Sequence, residues 1–330
     1  MRKKHLIRNF AFAVLLAGFV QNAAGQTRLP DTETVSFAGY SAWLTDPTDR
    51  YRHAVLGDAI EAGGFAIRAP DGRTLMFRLE ADAVFEDRRV RLHDLDGDGT
   101  PEAIIIKSTQ SGGAGIAIYR LGSLSISLLL ELPRIGTANR WLNIVGIADF
   151  NGDGRLDVAY VQTPHLTGLL RVFSIEGSRY REIGQLPGYT NHIIGSRDLD
   201  LAAAGSFTGS GRREIVIPSL DRRFLALLGF RDGKLQELSR KRLPARASGN
   251  LHIQDTINGV LSVVQGAGVL GASMGLGRPA AGVALGAFLA QQGVGLYLKK
   301  KQISGGEEEK SVVTHAVDNV KAMFSKPAQV

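Results

Sequence analysis

Cysteine is absent from the 330-residue chain, so neither disulfide bridges nor thiolate metal sites contribute to its stability. The metalloprotease signature H-E-x-x-H and the P-loop signature G-x-x-x-x-G-K-[ST] are also missing. These absences argue against an enzyme, and we expect a non-catalytic protein.

The positive charge of the chain is concentrated at its start. The formal net charge is +7, and it falls to +3 when the four basic residues among the first eight positions are left out. An apolar stretch at 10–20 and small residues at 23–25 follow. This is the pattern of a secretory signal peptide, which we predict over residues 1–25. We therefore expect an exported protein of the periplasm or cell envelope, with no nucleic-acid partner.

Two nine-residue segments, DLDGDGTPE and DFNGDGRLD, repeat one pattern of oxygen ligands, and their first residues lie 55 positions apart. Each carries oxygen-bearing side chains at positions 1, 3, 5 and 9, with glycine at position 6, where a tight loop needs a permissive backbone. The carbonyl at position 7 adds a further oxygen. The predicted Ca²⁺ ligands are Asp94, Asp96, Asp98, Thr100 and Glu102 in the first loop and Asp149, Asn151, Asp153, Arg155 and Asp157 in the second.

These loops differ from an EF-hand, which needs a bidentate glutamate at position 12, where this chain has Ile105 and Tyr160. Short apolar runs follow both loops, at 103–106 and 158–161, so we predict that each loop joins two strands. Aspartate and glycine are also common in ordinary turns. Two matched loops crowded with carboxylates nevertheless favour a bound cation, and Ca²⁺ is the expected cofactor.

A third, degenerate copy of the loop begins at Ser206, 57 residues after the second. Serine and threonine replace the acidic ligands at positions 1, 3 and 5, and only Glu214 keeps a carboxylate, so we predict a loop of the same shape without calcium. Strand-like segments follow each loop, giving about four strands per repeat, and residues 51–86 are predicted to form an earlier unit. A four-stranded unit recurring every ~40–55 residues is typical of a β-propeller blade.

The segments HDLDGDGTPEAIII and ADFNGDGRLDVAYV, with AGSFTGSGRREIVIP as a worn third, resemble the FG-GAP/VCBS repeat family over residues 35–255. Such repeats occur in integrin-like propellers and in many exported bacterial proteins. The resemblance implies an all-β propeller of four-stranded blades whose loops bind Ca²⁺. The length here suffices for four to five blades, so the ring is either small or open. An open sheet edge would offer a binding surface to a partner chain.

The composition changes near residue 256. Residues 257–277 and 279–298 are uncharged, rich in glycine and alanine, and separated only by Arg278. Each is long enough to cross a bilayer, and small residues let helices approach closely. Membrane contact is expected through 257–298, as a transmembrane hairpin or a single span; a soluble, buried helix pair is the alternative. The predicted C-terminal elements are a Gly/Ala-rich α-helical segment at 256–301 and an amphipathic helix at 307–324.

The preferred function is that of an exported calcium-binding propeller, acting as a non-catalytic binding, adhesion or scaffold module for a protein or carbohydrate ligand. Two alternatives stay open. Propellers also carry hydrolases and lyases, because a fold alone does not determine an activity. The C-terminal segment would otherwise make the chain an oligomerising membrane protein that displays the propeller.

Overall fold

The computed structural model describes residues 27–255 and 261–265. Within these residues the chain forms nineteen antiparallel strands and no helix, so the predicted all-β fold is confirmed there and no helix in them could span a membrane. The strands are β1 (Val35–Phe37), β2 (Tyr40–Thr48), β3 (Glu61–Arg68), β4 (Thr74–Arg78), β5 (Ala83–Phe85), β6 (Arg91–His93), β7 (Glu102–Thr109), β8 (Gly113–Leu121), β9 (Ile126–Glu131), β10 (Leu142–Ala148), β11 (Asp157–Gln162), β12 (Leu169–Glu176), β13 (Arg179–Pro187), β14 (Ala203–Gly205), β15 (Glu214–Pro218), β16 (Phe224–Arg231), β17 (Lys234–Arg242), β18 (Leu251–Asp255) and β19 (Leu261–Gln265).

One four-stranded antiparallel unit occurs three times along the chain. Strands β6 to β9, β10 to β13 and β14 to β17 each pair in sequence order. In every unit the aspartate- or serine-containing loop joins the first strand to the second. The prediction that the loops connect strand to strand is confirmed, and the arrangement is propeller-like.

An earlier sheet precedes these units. Strands β1, β2 and β3 pair in order, β4 also pairs with β3, and β5 links β3 to β7, which makes one nine-stranded sheet with β6 to β9. The expected unit at residues 51–86 is wrong in its start, because residues 51–60 contain no strand. Arg52, Ala54 and Gly57 have φ of 25°, 56° and 95°, and such backbone conformations interrupt an extended chain.

The second strand of each unit is buried on both faces. In β7, Ala103 and Ile105 belong to the hydrophobic cluster on one side, and Ile104 and Ile106 belong to the cluster on the other, with Tyr160 of β11. The sheets therefore stack face to face. This explains why the runs after the loops are apolar throughout and do not alternate with polar residues.

A β-bulge recurs between the third and fourth strands of every unit. The register shifts at Leu129, Ile183 and Leu238, which follow one another at intervals of 54 and 55 residues. Each of these side chains is partly buried against a neighbouring hydrophobic cluster. The bulge thus turns one additional apolar residue of each fourth strand towards a neighbouring cluster.

Strands β18 and β19 pair with each other beyond the third unit. The prediction of helix at 256–301 is therefore wrong for residues 261–265, where the adjacent β-branched residues Val263 and Val264 favour a strand. Pairing with β18 also gives these residues a partner for their backbone groups. The predicted signal peptide at 1–25, the rest of the glycine-rich segment and the helix predicted at 307–324 lie outside the described residues.

Candidate metal-binding loops

The first loop folds around the carboxylate of Asp94. Its Oδ1 atom accepts hydrogen bonds from the backbone N–H groups of Gly97 (2.8 Å) and Asp98 (3.1 Å), and Oδ2 accepts one from Gly99 (2.9 Å). The two glycines have φ of 78° and 87°, in the left-handed region that strains any residue with a Cβ atom. Aspartate at position 1 and glycine at positions 4 and 6 thus produce one tight turn.

The second loop repeats these contacts atom for atom. Oδ1 of Asp149 accepts hydrogen bonds from the N–H groups of Gly152 (2.6 Å) and Asp153 (3.1 Å), and Oδ2 accepts one from Gly154 (2.8 Å). The φ angles of these glycines are 81° and 84°. The same residue types at the same positions therefore give the same backbone in both loops.

The side chains at positions 3 and 5 each accept one hydrogen bond from the N–H group two residues further on. In the first loop the backbone nitrogen lies 3.3 Å from Oδ1 of Asp96 and 2.7 Å from Oδ1 of Asp98. In the second loop the corresponding distances to Oδ1 of Asn151 and of Asp153 are both 2.9 Å. These bonds hold the side chains against the loop. The carboxylates are therefore positioned before any ion arrives.

Position 7 is Thr100 in the first loop and Arg155 in the second. The backbone N–H group of each donates the hydrogen bond that the side chain at position 5 accepts. The guanidinium of Arg155 lies 3.4 Å from the carboxylate of Glu176, and both side chains are more than half exposed. Its side chain is thus occupied elsewhere. A role in metal binding would fall to the backbone carbonyl alone, as the sequence indicated.

Position 9 begins the second strand and is deeply buried: Glu102 is 2% exposed and Asp157 is fully buried. One carboxylate oxygen of each accepts a hydrogen bond at 3.0 Å from the N–H group at position 2, which belongs to Leu95 or Phe150. The Oδ1 atom of Asp157 is buried with no hydrogen-bond partner in the described part of the chain. A buried carboxylate oxygen without a partner destabilises the fold unless it coordinates a cation or accepts a hydrogen bond from a water molecule.

The carboxylates of the first loop converge. Asp94, Asp96 and Glu102 each place one oxygen within 4.8 Å of the others, and no other such group of acidic or histidine side chains occurs among the described residues. Burial raises the pKa of Glu102, and it raises the pKa of Asp157 to about 6. A cluster of carboxylate oxygens around one buried member, Glu102, fits a hard cation such as Ca²⁺.

An arginine from the neighbouring strand approaches the first loop. The guanidinium of Arg120, in β8, lies 3.1 Å from Asp96 and 3.8 Å from Glu102. The Arg120 side chain is 46% exposed, so the attraction is screened by water. This residue partly balances the negative charge and would compete with a bound cation.

The third loop satisfies its buried carboxylate with side chains of the protein. Glu214 is fully buried, and its Oε1 atom accepts hydrogen bonds from the hydroxyls of Thr208 (2.6 Å) and Ser210 (3.3 Å) and from Arg231 (2.9 Å). Although burial alone would raise it, the contacts with Thr208 and Arg231 leave the pKa of Glu214 below its usual value. The residues of this loop do not fit a metal ion.

The backbone of the third loop is the same as in the other two. Gly209 and Gly211 have φ of 70° and 76°, and the Oε2 atom of Glu214 accepts hydrogen bonds from the N–H groups of Phe207 (3.0 Å) and Thr208 (2.9 Å). The predicted loop shape is confirmed. Sequence reasoning missed Arg120 and Arg231, because strand pairing brings them in from positions far outside the nine-residue motif.

Residues 94–160, which contain both acidic loops, match the FG-GAP-like repeat family. The predicted repeat type is thereby confirmed for this part of the chain. No protein with a curated description matches the sequence.

Solved structures similar to this chain include three rhamnogalacturonan lyases. YesW is 15% identical, with a TM-score of 0.41 over 76% of this chain and 60% of that chain. The Bacillus licheniformis lyase is 15% identical, with a TM-score of 0.41 over 74% and 59%. The exotype lyase YesX is 14% identical, with a TM-score of 0.41 over 76% and 59%. This chain thus spans less than two thirds of the length of each.

Proposed function

We propose that this chain is an exported, calcium-binding β-propeller that acts as a non-catalytic binding, adhesion or scaffold module of the cell envelope. The observation that carries the calcium part is the pair of superimposable acidic loops, with converging oxygens in one and the partnerless Oδ1 atom of Asp157 in the other. The third loop supports the same interpretation, since there the guanidinium of Arg231 occupies the role of the cation.

Two ions are proposed, one in each acidic loop. Bound Ca²⁺ would supply positive charge that offsets the repulsion between the loop carboxylates. The ligands of the first ion are the side chains of Asp94, Asp96, Asp98 and Glu102 and the carbonyl of Thr100. Those of the second are the side chains of Asp149, Asn151, Asp153 and Asp157 and the carbonyl of Arg155.

The proposed role of the ions is structural. Position 1 directly follows the first strand of a unit, and position 9 begins the second. Ligands at both positions tie the ends of two paired strands together, and the loop points outward from the sheets rather than into a cavity. The third unit achieves the same connection with the pair Glu214 and Arg231, which supports a stabilising task rather than a catalytic one.

The propeller itself is proposed to have four complete blades and the start of a fifth. The sheet of β1 to β4 supplies the first blade, and the three repeated units supply the next three. Leu251 of β18 packs on the sheet of β14 to β17, so the hairpin of β18 and β19 lies where the next blade would begin. A protein or carbohydrate ligand would bind on the blade loops, or a partner chain at an open edge.

Isothermal titration calorimetry on the full chain, first stripped with a chelator, tests the calcium proposal. We expect close to two Ca²⁺ ions per chain and a higher melting temperature when they are bound. Stripped protein that takes up no Ca²⁺ would overturn the proposal. Mg²⁺ at the same concentration is the control, because its smaller octahedral shell suits these loops poorly.

The membrane part of the proposal rests on residues 279–298, an uncharged stretch long enough for one span. Cell fractionation tests it. The full chain should sediment with membranes, whereas a chain ending at residue 278 should not. Equal solubility of the two chains would remove membrane contact from the proposed function.

A further inference from the structure

A cavity of about 120 Å³ lies between the N-terminal segment and the residues that lead into β3 and β6. The residues that line it include the apolar Leu29, Leu56 and Ile60, together called the apolar wall here, and the ionisable Glu61, Asp87 and Arg88. None of these residues belongs to the calcium loops. The cavity therefore needs its own explanation.

Glu61, the first residue of β3, is only 2% exposed, and its Oε1 atom is buried with no hydrogen-bond partner among the residues described. Leaving a carboxyl oxygen in this state costs about 1–3 kcal/mol or more. Buried polar groups in folded proteins are nearly always satisfied. An unsatisfied carboxyl that lines a cavity thus points to a partner that enters the cavity.

The neighbouring carboxylates are already satisfied. Asp87 accepts hydrogen bonds from Arg91 (2.7 Å) and from the N–H group of Ile106 (3.1 Å). Glu86 is bound by His53 and by Ser108, both at 2.6 Å. These carboxyl groups therefore have partners of their own and offer Glu61 no hydrogen-bond donor.

The rim of the cavity is held by arginines with partners of their own. Arg197 forms ion pairs with Asp31, at 2.9 Å, and with Asp58. The guanidinium of Arg88 donates through its two terminal nitrogens to the carbonyls of Asp31 (2.8 Å) and Arg197 (3.1 Å), while its Nε atom is buried without a hydrogen-bond partner in the described part of the chain. Glu61 is therefore the one acidic side chain lining this cavity that lacks a counter-charge within the described structure.

The electrostatics of the site favour a positive ligand. Burial, together with the negative charges of Glu86, Asp58 and Asp87, raises the pKa of Glu61 to about 9. Tyr51, Arg88, Arg197 and Asp31 are the other ionisable groups nearby. A cation in the cavity would replace the proton of Glu61 and reduce the repulsion between it and its acidic neighbours.

A bare metal ion fits this cavity poorly, because the described structure brings three acidic ligand oxygens close together only at the first calcium loop. An ammonium group needs fewer ligands and donates three hydrogen bonds. The apolar wall of Leu29, Leu56 and Ile60 would cover a short aliphatic stem. We propose that this cavity binds a small primary amine, with its ammonium group on Glu61 and its methylene groups against the apolar wall.

The test uses the full chain, saturated with Ca²⁺, and two probes of matched size, n-butylammonium chloride and n-butanol, at constant ionic strength. Titration calorimetry should show saturable binding of butylammonium and none of butanol. Because Glu61 gives up its proton, the heat of binding near neutral pH should vary with the ionisation enthalpy of the buffer. Equal binding of both probes, or no saturable binding of butylammonium, would overturn the proposal without any variant being needed.

The variant Glu61→Gln keeps the shape of the side chain and removes its charge. It should weaken butylammonium binding by roughly tenfold or more, whereas Glu80→Gln, which changes an exposed carboxylate, should bind as the unaltered chain does. Unchanged affinity in Glu61→Gln contradicts the proposal. The thermal unfolding of both variants, followed by circular dichroism, reports whether they are folded. The inference is independent of the calcium sites, so each can fail alone.

Discussion

The guanidinium of Arg231 lies 2.9 Å from the buried carboxylate of Glu214, in the loop where serine and threonine replace the acidic ligands. This pair connects β15 and β16 at the point where the other two units present a negative pocket. The third unit thus keeps the loop backbone of the other two and pairs its buried carboxylate with an arginine of its own chain.

Replacement of Arg231 by Gln should therefore destabilise the fold without affecting calcium. Glu214 would lose its charged partner while remaining buried, and we expect a loss of about 1–3 kcal/mol in the free energy of unfolding. Chemical denaturation measures this loss, and calorimetry should still count two Ca²⁺ ions. Arg213→Gln, an exposed change in the same loop, is the control. A fall in calcium stoichiometry in Arg231→Gln would contradict the assignment of the third loop.

Asp157→Asn should remove one of the two calcium ions. The substitution keeps the size of the side chain but takes away the buried negative charge at position 9 of the second loop. Calorimetry should count one ion in place of two. Glu176→Gln, which alters an exposed carboxylate near the same loop, should keep both, and a count of two in Asp157→Asn would exclude this residue as a ligand.

Removal of the competing arginine should tighten binding at the first loop. Arg120 is about half exposed, so its pairing is worth about 0.2–1 kcal/mol, and Arg120→Gln should raise the Ca²⁺ affinity roughly two- to fivefold. The measurement is cleanest in chains that also carry Asp157→Asn, where only the first loop titrates. Arg179→Gln removes an equal charge from a distant strand end. If both changes raise the affinity alike, general charge is responsible rather than Arg120.

A buried histidine pair should make stability depend on pH. The ring nitrogens Nε2 of His165 and Nδ1 of His192 lie 2.8 Å apart, and Nε2 of His192 lies 3.0 Å from the carbonyl of Ser196. His192 is therefore neutral, donating to the carbonyl and accepting from His165. Burial lowers the pKa of His165 to about 3 and that of His192 to about 4.

The unfolded chain takes up these protons near pH 6.5 and the folded chain does not, so the stability is present above about pH 6.5 and is lost as the pH falls towards 4. Each histidine contributes a slope of up to about 1.4 kcal/mol per pH unit. Urea unfolding at a series of pH values measures the slope, which should be shallower in His165→Gln. The same slope in both proteins would show that other groups cause the acid sensitivity.

Gly168→Ala should severely destabilise the sheet formed by β10 to β13. Gly168 has φ of 58°, and an added Cβ atom would lie 2.1 Å from the carbonyl oxygen of Tyr189. Gly177 has almost the same φ, 57°, but open space around it, so Gly177→Ala should cost only the ~1–2 kcal/mol of a left-handed backbone. Thermal unfolding should show a further ~1–3 kcal/mol in Gly168→Ala. Equal losses would mean that the backbone shifts to relieve the contact.

The repeated pattern was readable from the sequence because both parts of it are local. Aspartate at position 1 accepts its hydrogen bonds from N–H groups three to five residues further along the loop. Glycine at position 6 allows the left-handed backbone of the turn. The apolar runs after the loops identified the second strands for a related reason, since residues buried on both faces cannot alternate. The boundaries of the first sheet were less accessible, because residues 51–60 carry no motif.

The glycine-rich segment shows the limit of composition. Its length and apolarity predicted helix, but residues 261–265 lie in a strand that pairs with β18. Periodicity cannot separate a short apolar strand from a stretch of helix. Only the partner strand, which precedes it by ten residues, decides the conformation.

By itself, the sequence determined the loop motif, the loop backbone and the positions of the oxygen-bearing side chains in each loop, because each depends on residues fewer than ten positions apart. The tertiary structure alone decided which charges meet. Arg120 and Arg231 reach their loops through strand pairing, and Glu61 is left without a partner at a place formed by four separate segments of the chain. Charge contacts act through space rather than along the chain, so neither the internal cation of the third loop nor the empty carboxyl of the cavity has a signature in the sequence.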